Sequence, residues 1–171
     1  MKSSLDKKEI ASLFLYTVDL NNDTLEDVLP YLPKDFPTEL IVGEDGGFLD
    51  PNLVDLKNAI NKLPKYKGKV YRGVFTWSSL EEELRSFNIG NIWMNKKIIS
   101  TSKNIDIAKE FLEGDPARAY FLIIESMSGR LVGKYTPSPQ EEEVIFLPNT
   151  RFKVKKIGEL DSFRTVWLKE I

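Results

Sequence analysis

Three polar insertions interrupt apolar, strand-like stretches, and each carries groups able to do chemistry. Arg72 lies within Val70-Tyr71-Arg72-Gly73-Val74-Phe75, Ser100-Thr101-Ser102 follows Ile98-Ile99, and Glu141-Glu142-Glu143 precedes Val144-Ile145-Phe146-Leu147. A buried strand reads as near-continuous Val, Ile, Leu and aromatics, so these polar residues exceed what the pattern needs. Arg72 is a planar double donor suited to phosphate and other bidentate acceptors, and Gly73 beside it permits close approach of a ligand or another backbone. An arginine on a solvated strand face reads the same way. The hydroxyls at 100–102 sit at a strand end before a helix, where ordinary capping and turn chemistry also places them. Alternation along a strand puts Glu141 and Glu143 on one face, about 7 Å apart, and Glu142 on the other. Two carboxylates so placed suit an oxocarbenium-like transition state, where negative charge stabilises a cationic sugar. A solvated acidic loop running into a strand fits the triplet equally well.

Composition narrows the chemistry further. The chain has 171 residues, 42% of them hydrophobic and 11% aromatic, which suits one domain with its own core and argues against disorder. It has no cysteine and no histidine. Disulfides, thiolate nucleophiles, cysteine zinc sites and Ser-His-Asp or Cys-His arrangements are therefore excluded. Proton transfer falls to Glu, Asp, Lys, Tyr or water. The net charge of −2 lacks the global basic field of a general nucleic-acid binder but leaves room for a local basic groove. No Gly-x-Gly-x-x-Gly follows a strand and no Gly-Lys-Ser/Thr loop is present, which argues against a Rossmann dehydrogenase and a P-loop NTPase. The apolar runs are a few residues long, so neither a signal peptide nor a membrane span is expected.

The elements that must position these groups read as helices first and strands later. Ser3-x-x-Asp6 predicts a cap for a helix burying Ile10, Leu13 and Phe14. Thr24 precedes a short helix over 25–32, and 33–47 reads as a loop. Asp50-Pro51 predicts an N-cap and N1 proline for a helix with Leu53, Leu56, Ile60 and Leu63 inward, ended by Pro64 and Gly68. A strand over 69–75 follows, then a helix opened by Ser78-Ser79 with Leu80, Leu84 and Phe87 inward and a Glu81–Arg85 surface pair. A strand over 97–102 and a helix over 104–112 come next. Strands are predicted at 119–125, 130–134, 142–147, 151–157 and 163–169, with turns at Ser128-Gly129, Pro148-Asn149 and 158–162. The order implies an α+β fold, with a sheet core and helices outside.

Taken together and in order, these motifs resemble a known family. An aromatic-Arg-Gly strand (Tyr71-Arg72-Gly73), an aliphatic strand ending Ser100-Thr101-Ser102, a helix with Ala108-x-x-Phe111, and Glu141-x-Glu143-Val144 look like the Arg–Ser–Glu mono-ADP-ribosyltransferases. That group includes cholera-toxin-like and binary-toxin-like enzymes and phage enzymes that modify host proteins. Residues 141–154, EEEVIFLPNTRFKV, are especially similar to the family's Glu-x-Glu strand, Pro turn and Phe-x-Val strand. The resemblance covers residues 70–154. It implies an ADP-ribosyltransferase-like fold in one domain: a helical lead-in over 1–65, packed on a mixed, mainly antiparallel β-sandwich core over 66–171 around an NAD cleft.

The resemblance also implies roles. Arg72 would hold the phosphate and ribose region of NAD+, with Tyr71 and Gly73 beside it. Ser100 would orient Arg72, the ribose or the catalytic carboxylate, supported by Thr101 and Ser102. Glu143 would be catalytic and Glu141 would activate the incoming nucleophile. Phe111 is a candidate to stack on nicotinamide, although Ile107 and Ala108 on its helix face suit core packing. Arg118 is a looser phosphate candidate. The loop before the glutamates would recognise the acceptor through Tyr135, Gln140 and Glu141. The run Gln140-Glu141-Glu142-Glu143 permits two registers, and Val144 directly after Glu143 favours Glu141-x-Glu143, which in the family accompanies arginine acceptors. NAD+ would be a co-substrate and no metal is required. The expected partner is a target protein in the cytoplasm of a host or target cell, with a cognate immunity protein as a further partner and no membrane. An NAD+ glycohydrolase, a nucleic-acid acceptor and a non-catalytic binding or immunity module of the same fold remain the alternatives.

Overall fold

The computed structural model describes residues 4–171. Residues 4–64 and 132–140 form one compact unit, and residues 65–131 and 141–171 form a second. The first is helical. Helix α1 (Lys7–Thr17) starts at Asp6, whose side chain accepts from the Glu9 backbone at 2.8 Å while Glu9 accepts from the Asp6 backbone at 2.9 Å. Asp6, not the Ser3 end of the predicted motif, is thus the cap; Ser3 lies outside the described residues. The buried Glu9 also takes the Lys62 ammonium at 2.8 Å, tying α1 to α3 (Leu53–Lys62). Helix α2 covers only Leu25–Val28 of the predicted 25–32, and a 3-10 turn, Leu29–Tyr31, replaces the rest. Pro30 lacks the N–H that an α-helix would need there. The cap of α3 is Asn52, which accepts from Asp55 N at 3.0 Å, so Asp50-Pro51 precedes the cap. Phe14, Val28 and Ile41 are buried in this unit's core, and Tyr135 from the returning segment 132–140 packs on it.

The second unit is built on strands β1 (Lys65–Phe75), β2 (Ile92–Met94), β3 (Ile99–Ser102), β4 (Ala119–Leu131), β5 (Glu143–Phe146), β6 (Arg151–Leu160) and β7 (Phe163–Glu170). All belong to one sheet in which, among the described residues, only β4 and β7 run parallel. Its order is β2-β6-β7-β4-β5-β3-β1, and β1 also pairs with β4 along nearly its whole length. The pairing β1-β3-β5-β4 therefore closes on itself. The fold is α+β with a mainly antiparallel sheet, and a single sheet curled back makes the two layers. Val70, Leu122, Ile124, Phe146, Phe152 and Leu168 lie in the core between them.

Several boundaries differ from the sequence pattern. Gly68 does not end a helix but lies within β1 at a bulge, with φ +146°. The predicted strands 119–125 and 130–134 are one strand, β4, and Ser128-Gly129 is not a turn. The buried Glu170 carboxylate accepts from the backbones of Met127 and Ser128 and from the Ser128 hydroxyl. With those donors satisfied, the strand continues past the end of its β7 pairing to meet β5 at Arg130 and Leu131. The short edge strand β2 was not read from sequence; its three residues pair with β6. Glu81 pairs with Arg164 at 3.2 Å and not with Arg85, because helix α4 (Leu80–Leu84) ends before Arg85. The β6–β7 hairpin turns at Asp161 and Ser162, both at positive φ, as a two-residue turn between twisted strands requires.

Two local features set where the polar strands lie. The buried Asn95, just after β2, donates from its amide to the Lys97 and Leu147 carbonyls, each at 2.8 Å, and accepts from Thr150 N at 3.0 Å. It fastens the start of β3 to the end of β5. Helix α5 (Ile105–Glu110) lies so close to β1 that a Cβ on Gly73 would be 2.2 Å from the Ala108 carbonyl oxygen. Gly73 is thus explained by helix packing. Asn95→Ala removes three hydrogen bonds made by one buried side chain, so it is expected to cost about 2–3 kcal/mol in urea denaturation. Gly73→Ala forces α5 away from β1, with an expected loss of about 1–3 kcal/mol from overpacking; an unchanged melting curve would refute that reading.

Candidate active site

The cleft in the strand unit is walled by β1, β3, α5 and the segment entering β5. Its lining includes Tyr71, Arg72 and Gly73, Ser100 to Ser102, and Glu141 and Glu143. The three polar insertions thus converge. Antiparallel pairing sets Tyr71 opposite Ser102 and Ser102 opposite Glu143, so β3 lies between the guanidinium strand and the carboxylate strand. Arg72 donates from Nη1 to the Ser100 carbonyl at 2.8 Å. The Ser100 hydroxyl donates to Glu143 Oε2. One residue therefore holds both charged groups, the cation through its backbone and the anion through its side chain.

The neighbouring hydroxyls fix the strand ends. Thr101 Oγ1 donates to the Val144 carbonyl at 2.8 Å, which locks the β3–β5 register. Ser102 Oγ donates to the Glu141 carbonyl at 2.6 Å and accepts from Asn104 N at 2.9 Å. This second role is the turn chemistry expected at a strand end; the cap of α5 is Asn104, whose side chain accepts from Asp106 N at 3.0 Å.

Glu141 and Glu143 share the cleft wall while Glu142 is exposed, but not through strand alternation. Glu141 ends a 3-10 turn, Pro139–Glu141, and β5 begins only at Glu143. Glu142 between them has φ +47°, a left-handed conformation uncommon for a glutamate, and its carbonyl accepts from Lys103 N at 3.0 Å. The reversal at Glu142 returns Glu141 to the wall. The Glu143 carboxyl is pushed up to about 7, mainly by burial. The Ser100 hydrogen bond opposes this, Glu141 adds to it by repulsion, and Arg72 opposes it.

The remaining candidates divide. Phe111 lines the cleft and is 55% exposed; the core on that helix is made by Ala108 and Leu112. Core packing is therefore not its role. Ile107 and Ala108 also line the wall; in sequence they fit core packing, although their helical spacing to Phe111 signals that they share its face. Arg118 is exposed at the start of β4, where its carbonyl accepts from Thr76 N at 2.7 Å, and its side chain is not in the wall. Tyr135 is half-buried in the helical unit with the Lys134 ammonium 5.5 Å from its ring centre. Gln140 is exposed in the turn before Glu141. Among the described residues no cluster of three or more Asp and Glu side chains is arranged to hold a metal ion, and no helix is long and apolar enough to cross a membrane.

No protein-family model matches the chain. In sequence, it is 32% identical over 108 residues to Vis of Vibrio splendidus (strain 12B01), a protein provisionally named an NAD(+)–arginine ADP-ribosyltransferase. That match spans 60% of this chain and 42% of Vis. The solved structure of the Vis toxin superimposes with a TM-score of 0.65 at 24% identity, covering 99% of this chain and 76% of that one. Vis has also been solved in complex with agmatine. The ADP-ribosyltransferase HopU1 of Pseudomonas syringae pv. tomato DC3000 gives 0.63 at 21% identity, over 95% of this chain and 76% of that one. Exoenzyme S of Pseudomonas aeruginosa, solved bound to carba-NAD, gives 0.59 at 16% identity, over 96% and 88%. The chain thus has the ADP-ribosyltransferase fold, and its relatives in sequence and structure are bacterial ADP-ribosyltransferases.

Proposed function

We propose that this protein cleaves the nicotinamide–ribose bond of NAD+ and transfers the ADP-ribose to an arginine side chain of a target protein, as a toxin or effector. The observation that carries this reading is the bridge Arg72–Ser100–Glu143. Arg72 uses one N–H on the Ser100 carbonyl, which leaves its other donors for the dinucleotide phosphates. Tyr71 and the exposed ring of Phe111 offer apolar surface for nicotinamide. Glu143 supplies negative charge beside the ribose carbon as the C–N bond breaks and its electron pair leaves with nicotinamide. Glu141 takes the proton from the acceptor guanidinium, whose nitrogen then bonds to that carbon. The provisional name of Vis and its complex with agmatine, itself a guanidine, support arginine as the acceptor. The carba-NAD complex of exoenzyme S supports NAD+ as the donor.

Labelled NAD+ incubated with protein and bacterial or host lysate should label a protease-sensitive, nuclease-resistant product, and agmatine should serve as a small acceptor. Glu143→Gln should lower transfer by about 10²–10³-fold, the scale of losing one preorganised electrostatic contact. Glu141→Gln should abolish transfer and leave NAD+ hydrolysis. Free ADP-ribose as the sole product of the unaltered protein would refute transfer, and nuclease-sensitive label would refute a protein acceptor.

The raised carboxyl of Glu143 also has a sign in stability. An acid raised from 4.5 to about 7 on folding binds its proton more tightly in the native state. Its stabilising contribution is full below pH 4.5 and is lost as pH rises through about 7. The native protein should therefore lose stability across that window in denaturant titrations, and Glu143→Gln should remove this component. An identical pH dependence in the variant would contradict the assignment.

A further inference from the structure

We propose that the outer face of the sheet is a docking surface for an acidic protein segment. The register places Lys69 opposite Glu125, Glu125 opposite Lys169, Lys169 opposite Lys153 and Lys153 opposite Ile92. Residues directly opposite in adjacent strands project from the same face, so this row crosses β1, β4, β7, β6 and β2. Arg151 opposite Met94 begins a second row. The adjacent residues Val70, Ile124, Leu168 and Phe152 are buried on the other face, so the charged rows point outward, and all these cations are exposed. Helix α5 covers this face only over Gly73 and its neighbours.

Three features separate this face from an ordinary solvated one. Lys153 and Lys169 stand directly opposite each other, a like-charge pair that destabilises a sheet. Among the described residues neither these two nor Lys69 and Arg151 form an ion pair. Lysines on edge strands guard against edge-to-edge association, which suits Lys69, paired on one side only, but Lys169 is paired on both sides, with Glu125 and Lys153, so that explanation does not reach it. Lys69, Arg151, Lys153 and Lys169, joined by Lys156 opposite Trp167, against Glu125 make this face locally basic in a chain of net charge −2.

The chemistry of the face selects among anionic partners. Of the rings on this face, Tyr71, Phe75 and Phe163 pack on the cluster of Ala108, Leu112 and Phe121, and Trp167 is half-buried with the Lys156 ammonium 4.6 Å from its centre. Among the described residues this face therefore offers no open ring for the base stacking that single-stranded nucleic acids use. Ile92 and Met94, 41% and 49% exposed, give the β2 end an apolar margin. Cations beside a small apolar margin complement an acidic segment of mixed polarity, as at the rim and core of a protein interface.

The test is fluorescence anisotropy with a labelled poly-glutamate peptide, and it does not depend on catalysis. The unaltered protein should bind the peptide at low salt. K153E/K169E should weaken binding at least about tenfold, and K69E by a smaller factor, through lost complementarity. A charge-matched control in the helical unit, K8E/K57E, should bind as the unaltered protein does. Thermal melts establish that each variant is folded. Absence of peptide binding, an equal loss in the control, or tighter K153-dependent binding of an RNA oligonucleotide or of phosphatidylserine vesicles would each overturn the proposal.

Discussion

A single serine ties the two charged groups of the cleft together. Its carbonyl takes the Arg72 guanidinium and its hydroxyl donates to the Glu143 carboxylate, so the spacing of cation and anion depends on where β3 lies between β1 and β5. A slip of one residue would turn the Ser100 hydroxyl to the opposite face. The protein holds the register from both ends of β3. Asn95 anchors the chain before the strand, Thr101 bonds across to β5, and Ser102 bonds to the backbone of Glu141.

That arrangement costs stability locally. A carboxylate is half-buried next to a second one, and burial and repulsion both raise its pKa. Glu142 adopts a left-handed backbone that a non-glycine residue enters at a cost of about 1 kcal/mol or more. Both strains lie within three consecutive residues, and both are answered by hydrogen bonds from β3 and the residue after it: Ser100 to Glu143, Ser102 to Glu141, and Lys103 to Glu142. Strain so concentrated and so fully answered marks a segment shaped for the cleft and not for the fold alone.

The convergence of Arg72, the 100–102 hydroxyls and the two glutamates was legible because polar residues inside apolar strands have few reasons to be there. The α+β class was legible from the change of apolar period near Lys65. Other details were not. Strand alternation placed Glu141 and Glu143 together for the wrong reason, since the turn at Glu142 depends on a backbone angle that no side-chain pattern encodes. Gly73 implied close approach of a ligand or another backbone, and residue type alone does not say which; the approaching atom is the carbonyl of Ala108. The Ser128-Gly129 turn failed because its competitor is a carboxylate distant in sequence, Glu170. Tyr135 and Gln140 belong by contact to the helical unit, a partition that residue order does not reveal.

The parallel pairing of β4 with β7 has a bearing on how the molecule acquires its structure. Between these two strands the chain leaves for the helical unit, returns with the glutamates, and forms β5 and β6. The central hydrogen-bonded pair of the sheet, like β1–β4 and β2–β6, thus joins segments distant in sequence. Its loop-closure entropy must be met before the pairing returns any free energy. The clamp from Glu170 to β4 forms only after β7 arrives. Folding of the strand unit is accordingly expected to be slow and to finish late, with the edge of β4 left as an open template in the meantime.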